Sequence, residues 1–251
     1  KYINEAERLA EYLNGNPLNK RALLEYRETL AENFSSRTVN TKLAAINGYL
    51  SFIGADEYKV QLLKVQRRAF IDESRELSAA EYKRLVNAAD VGGNDRLSLV
   101  MQTICATGIR ISELSYITVD AVKERRIEIR LKGKSRTVII PSKLCKKLVE
   151  YARRQRIDTG AVFRTKGGKP LDRANVCHDM KRLCDAAHVE RSKVFPHNLR
   201  HLFARAFYSI EKNLSHLADV LGHSSIETTR IYVAASSRQY ERMLDKMKLI
   251  T

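Results

Sequence analysis

The sequence predicts a mainly α protein with a small β-hairpin, divided into two domains, residues 1–71 and 72–251. Three observations carry this. Val39, Leu43, Ile46, Leu50 and Ile53 recur at alternating steps of four and three, which is one face of a helix. From Arg126 the period changes to two, with Ile127, Ile129 and Leu131 alternating with Glu128, Arg130 and Lys132. Between these regions, Gln66 to Arg75 is charged and has no sustained period, as a linker does. A chain of 251 residues is long enough for one large domain or two modest ones.

In chain order, residues 1–65 read as short helices. Asn19 to Asn33 carries Leu23, Leu24 and Leu30 among charges. Ser35-Ser36-Arg37-Thr38 supplies cap-type residues before the Val39 stripe. Thr41, Ala45 and Gly48 lie roughly opposite that stripe, flanked by Lys42. They form either a solvent face or one small enough for the backbone to approach another surface. Ser78 followed by Glu81 is a capping box and opens the second domain's first helix. An apolar helix runs from Asp95 to Thr107, and Gly108 ends it. Arg126–Leu131 and the strand ending at Val138-Ile-Ile-Pro141 form a hairpin with a basic tip, Lys132-Gly-Lys134-Ser135. The remainder reads as helical, apart from a short extended piece and turn at Ala161–Gly168.

The formal net charge is +16 and the pI about 9.8, which points to a polyanionic partner, nucleic acid first. The excess is uneven: residues 1–70 hold 11 Lys/Arg against 8 Asp/Glu, leaving 34 against 21 for the rest. Trp is absent, so no indole platform is available for stacking bases. Cys105, Cys145, Cys177 and Cys184 form no Cys-x-x-Cys pair and no zinc pattern, and Cys105 reads as a core residue. A reduced, cytoplasmic protein is expected, with no signal peptide and no apolar run of about 18 residues. The chain opens on Lys1 rather than Met, which leaves room for an N-terminal arm ahead of it.

Five spots carry chemistry. They are Thr107-Gly-Ile-Arg110-Ile-Ser-Glu113-Leu, the hairpin tip, Pro196-His197-Asn-Leu-Arg200-His201, Leu221-Gly-His223-Ser-Ser and Thr228-Thr-Arg-Ile-Tyr232. Each alone is weak, since a lone Arg is usually a surface charge and a lone Tyr usually packs. Together they hold what metal-free phosphodiester chemistry needs. Planar guanidiniums grip phosphate oxygens and stay charged. Phenol, with a pKa of about 10, needs a base and cationic neighbours to act as a nucleophile. Histidines can supply the base, and a lysine on the hairpin can protonate a leaving alkoxide. No Asp/Glu cluster suited to Mg²⁺ accompanies them, and no metal or cofactor is expected.

The order and composition of these boxes resemble the tyrosine recombinases: lambda-type integrases, Xer-type resolvases and the integrases of conjugative transposons. Thr107–Leu114, His197-x-x-Arg200-His201, Leu221–Ser225 and Thr228–Tyr232 carry the likeness, as does the nine-residue step from His223 to Tyr232. Arg37–Phe52 resembles the family's helical core-binding domain. The resemblance implies a helical, DNA-binding core-binding domain (1–71) and a catalytic domain with a C-terminal tail helix (72–251). It implies that Arg110 and Arg200 clamp the scissile phosphate and that Tyr232 attacks it to give a 3′-phosphotyrosine. His197 assists proton movement, His223 donates to a phosphate oxygen, and Glu113 buttresses Arg110. Lys134 is preferred over Lys132 as the general acid. Arg37 and Lys42 are the expected DNA contacts in the first domain.

The implied function is that of an integrase or excisionase of a mobile element, working through a Holliday junction without metal or ATP. The expected partners are duplex recombination sites, three further copies in a homotetramer with each tail docked on a neighbour, and a directionality factor. Localisation is cytoplasmic, on the nucleoid when bound to DNA. The alternatives are a type IB topoisomerase-like relaxing activity and a DNA-binding regulator without catalysis. The tail, Ser236–Thr251, places Tyr240, Met243, Leu244 and Met247 on one apolar face that needs a cover.

Overall fold

The computed structural model describes residues 2–65, 72–131, 133–165, 167–233, 241 and 244–247. The chain divides into two units, Lys1–Arg68 and Ala69–Thr251. The stretch read as a linker lies largely outside the described residues.

Among its described residues the first unit holds three α-helices, a 3-10 turn (Asp56–Tyr58) and an extended tail. The helices are α1 (Tyr2–Leu13), α2 (Lys20–Asn33) and α3 (Ser36–Phe52). Asn19 caps α2 through the amide of Ala22, and Ser35 caps α3 through that of Thr38. The stripe on α3 buries Val39, Leu43, Ile46 and Leu50 against Leu9, Leu23, Tyr26 and Leu30. It stops there, because Ile53 has left the helix and is exposed. Asn40 and Asn47 exchange paired hydrogen bonds with the backbone of Leu63 and Val60 and so fasten the extended segment to α3.

Of the two readings left open for the opposite face of α3, close approach to another surface holds for part of it. Ala45 is buried, and a side chain at Gly48 would meet the ring of Tyr2 at 3.0 Å, so α1 covers part of this face. Lys42 is buried too, with Nζ 2.9 and 3.1 Å from the two carboxylate oxygens of Glu5 and close to the Phe34 ring. The Lys42 charge is therefore neutralised inside the unit rather than presented to a partner. A buried ammonium without an anion is costly, so once α1 covers the position it takes Glu5 as its partner. Arg37 is exposed.

The second unit opens with α4 (Ala79–Val91), capped by the reciprocal Ser78–Glu81 box, and α5 (Asp95–Thr107). α5 is the central element, burying Leu97, Val100, Met101 and Ile104. Gly108 ends it at φ +66°, and a Cβ there would meet the Phe203 ring at 2.4 Å. A 3-10 turn (Ile111–Tyr116) and α6 (Val119–Glu124) lead to the antiparallel strands β1 (Arg126–Leu131) and β2 (Lys134–Ile139). Ile127, Ile129 and Val138 face the core. α7 (Ser142–Arg154), α8 (Arg173–Arg182) and α9 (Cys184–Ala187) pack around it. Between α7 and α8, single bridges Thr118–Ala161 and Arg164–Pro170 replace a regular strand.

α10 (Pro196–Ile210), α11 (Leu214–Leu221) and α12 (Ile226–Val233) complete the unit around Ala204, Leu217, Leu221 and Tyr232. Cys105 is partly buried at the margin of the main core, and all four cysteines are free. No helix among the described residues is long and apolar enough to cross a membrane. Of the C-terminal tail only Glu241 and residues 244–247 are described, with Leu244 and Met247 half exposed.

Candidate active site

Three connections bring the distant boxes of the second unit together. The first starts where α5 ends. Beyond Gly108 and Ile109, Arg110 precedes the 3-10 turn, and Glu113 folds back on it. The Glu113 carboxylate accepts from the Arg110 amide at 2.7 Å and from its guanidinium at 3.1 Å. Glu113 is fully buried, whereas the Arg110 side chain is 41% exposed and open to a ligand. Arg136 of β2 supplies a second guanidinium, bonding both Glu113 oxygens at 2.9 and 2.6 Å. Burial raises the Glu113 carboxyl, but the hydrogen bond from Arg136 and the Arg110 amide outweigh it and hold the group below the usual range.

The second connection is Arg200, which is almost wholly buried on α10. Its Nη1 donates to the Gly108 carbonyl, and Nη2 donates to the Leu221 carbonyl at 2.7 Å. One side chain thus satisfies carbonyls at the ends of α5 and α11, where helices leave acceptors unpaired. Burial and the neighbouring Arg110 lower its pKa to about 10, so it stays cationic at neutral pH.

The third connection is His223, just past the left-handed Gly222 that ends α11. Arg200 Nη2 lies 2.9 Å from Nε2, and Thr229 Oγ1 lies 2.8 Å from Nδ1. A guanidinium can only donate, so Nε2 accepts and Nδ1 carries the proton toward Thr229. The expected donation from His223 to a phosphate oxygen therefore requires Nε2 to leave Arg200 and gain a proton. Burial, reinforced by Arg200 and Arg110, depresses His223 to about 4. Desolvation and the nearby cations depress His197 likewise to about 4, although its ring still meets solvent. Both imidazoles are neutral near pH 7.

Tyr232 is buried among three histidine rings. The ring of His201 lies 4.3 Å away, that of His223 5.4 Å and that of His197 5.7 Å. His201 Nδ1 sits 3.2 Å from Glu76, which also lies 3.5 Å from Arg205. Burial raises the Glu76 carboxyl, and the interactions with His201 and Arg205 bring it below its ordinary value.

A buried phenol ringed by imidazoles, with the Arg200 guanidinium close by and Arg110 near Arg200 and His197, fits phosphoryl transfer, and the comparison with known sequences places the chain. Residues 75–239 match the phage integrase family. The chain belongs to that family. It is a tyrosine recombinase, and the match lies within the second unit. Tyrosine recombinase XerA of Pyrococcus furiosus is 26% identical over 243 residues, covering 93% of this chain and 82% of that protein. Among solved structures, XerH recombinase in a post-cleavage complex with palindromic difH DNA superposes with a TM-score of 0.75 at 20% identity, over 97% of this chain and 77% of that one. The Tn1549 transposon integrase bound to transposon right-end DNA gives 0.68 at 16% identity, over 99% and 93%.

Within this recombinase the fold gathers Arg110, His197, Arg200, His223 and Tyr232 into one region. Lys134 opens β2, paired in register with Leu131, and its side chain lies outside the description, as does Lys132 altogether. Sequence reasoning gave no role to Arg136, Thr229, Glu76 or His201. Arg136 alone left a usable signal. It stands opposite Ile129 and two residues before Val138, on the core-facing side of the hairpin. A cation at such a position needs a buried anion.

Proposed function

We propose that the recombinase cleaves and rejoins duplex DNA at specific sites through a 3′-phosphotyrosine intermediate. The observation that carries this reading is the charge around Tyr232. Arg110, Arg136 and Arg200 set against Glu113 leave two positive charges, and the adjacent His197 and His223 are neutral. That matches a five-coordinate phosphorane dianion, whose charge preorganised donors stabilise.

In the proposed step the Tyr232 oxygen attacks phosphorus as its proton passes to a neutral histidine, His197 by our assignment. The bond from phosphorus to the 5′-oxygen breaks, and Lys134 gives that oxygen a proton. Reversal by a foreign 5′-hydroxyl joins new strands, so no ATP is consumed. A nicked suicide substrate tests the core of this. Tyr232→Phe should form no covalent adduct while binding DNA normally, and full adduct would move the nucleophile elsewhere. Recombinant products from two sites separate this reading from a topoisomerase that only relaxes DNA.

Likeness to the Tn1549 integrase supports a role in moving a mobile element. Likeness to XerA and XerH supports resolution of sites instead. A circular excision product from a plasmid carrying the flanking DNA would favour the first. The half-exposed Leu244 and Met247 support a tail that docks on a neighbouring protomer of a tetramer on DNA. Deleting residues 237–251 should then spare single-site binding and weaken synapsis; unchanged synapsis would rule that docking out. Arg37 remains the proposed DNA contact of the first unit, and a directionality factor a proposed partner.

A further inference from the structure

Arg136 ties three parts of the site together. Its guanidinium grips both oxygens of the buried Glu113, the two-pronged geometry that gives the strongest ion pairs. Arg110 shares that carboxylate through one guanidinium nitrogen and its own amide. The aliphatic shaft of Arg136 lies against Gly222, where any Cβ would stand 2.6 Å from Cδ. Gly222 directly precedes His223. The same residue belongs to β2, two positions after Lys134.

Other anchors of the hairpin lie at a distance from the tip on this strand. Val138 is the next core-facing residue, paired with Ile127 toward the base. On β1, Tyr116 holds the Arg130 carbonyl at 2.7 Å. At the tip, no described residue beyond the chain neighbours comes within 4 Å of the position a Cβ would take at Gly133. Among the described side chains, Arg136 is the β2 anchor nearest the tip.

We infer that Arg136 is a positioning residue that sets the hairpin lysine, Lys134 by our assignment, in register with the phosphate clamp. This rests on the proposed role of that lysine as general acid. Glu113 is then a shared post: on one side it orients Arg110, which meets the phosphate, and on the other it fixes the strand that delivers the proton.

The test compares cleavage of a normal phosphodiester with cleavage of a 5′-bridging phosphorothiolate by the same protein. In the second substrate the leaving group departs as a thiolate and needs little proton assistance, since thiols ionise at about pH 8.5. Both rates come from one preparation, so their ratio is unaffected by any unfolded fraction. Arg136→Met should lose about 10²-fold on the phosphodiester, the scale of a small misplacement of a catalytic group, and recover most of that on the phosphorothiolate. Arg136→Lys, which restores a cation to Glu113, should fall between Arg136→Met and wild type. Lys134→Ala and Lys132→Ala run alongside, and one of them should recover in the same way. Equal loss on both substrates by Arg136→Met, with recovery in a lysine variant, would overturn the inference and assign Arg136 to the clamp instead. Recovery in neither lysine variant would instead remove the lysine assignment on which the inference rests.

Discussion

Arg200 and Gly108 are joined by a hydrogen bond from a buried guanidinium to the carbonyl at the left-handed end of α5. The residue that a phosphate is expected to meet is thus also the residue that closes a helix. Of its five N–H donors, one goes to Gly108 and two to Leu221 and His223, which leaves one on Nη1 and the Nε hydrogen for a ligand.

Gly108→Ala should therefore cost both stability and cleavage. Alanine at φ +66° pays about 1–2 kcal/mol for the left-handed conformation. Its Cβ also collides with Phe203, and relief of that collision moves the carbonyl that holds Arg200. Urea unfolding should shift to a lower midpoint, and adduct formation per folded molecule should drop. A variant as stable and active as wild type would show that the end of α5 does not govern Arg200.

Replacing Glu113 should be among the most damaging changes in the second unit. Glu113→Ala leaves Arg136 without its anion, and breaking a buried pair costs about 3–5 kcal/mol. The Glu113 pKa lies below its unfolded value, so its contribution is complete above that value and is lost as pH falls through the folded one. The difference in unfolding free energy between wild type and variant should accordingly narrow in acid. A gap that stays constant down to the lowest measurable pH would contradict the ion-pair account.

His223 sets a different pH dependence. Its folded pKa of about 4 lies below the ordinary value of 6.5, so the unfolded chain takes up a proton that the folded chain refuses. Stability from this group is fully present above 6.5 and is lost as pH falls from there toward 4. His223→Gln should flatten that part of the stability profile, measured as urea midpoints at pH 7 and 5. The same slope in both proteins would place the titration elsewhere.

Arg37 and Lys42 should respond differently to salt. With about 6–10 phosphate contacts, DNA affinity should fall by roughly 10³–10⁵ between 50 and 200 mM salt. Arg37→Ala should reduce the slope of log K against log salt by about one, as loss of one phosphate contact does. Lys42→Met should leave the slope unchanged and lower the stability of the first unit, because its ammonium is already paired with Glu5. A reduced slope in Lys42→Met would mean the pair opens on DNA.

Much of this protein was legible in its sequence. The stripe of α3, the Ser78–Glu81 box, the stop at Gly108 and the two-residue period of the hairpin are local signals. They depend on backbone geometry within a few residues, and the folded chain keeps them. The five chemical boxes were legible as well, because residue type and order survive without coordinates. What only the tertiary structure decided was the partner of each charge. Periodicity says which side of an element is apolar and not which element will cover it. Lys42 read as a surface cation until α1 brought Glu5 to it across 37 positions. Arg136 had no assigned role until the hairpin closed on Glu113, 23 positions away. The proton on His223 was fixed only when Arg200 arrived at its other nitrogen. Burying a charge or a polar atom is costly unless a partner meets it, and that partner comes from wherever packing places one.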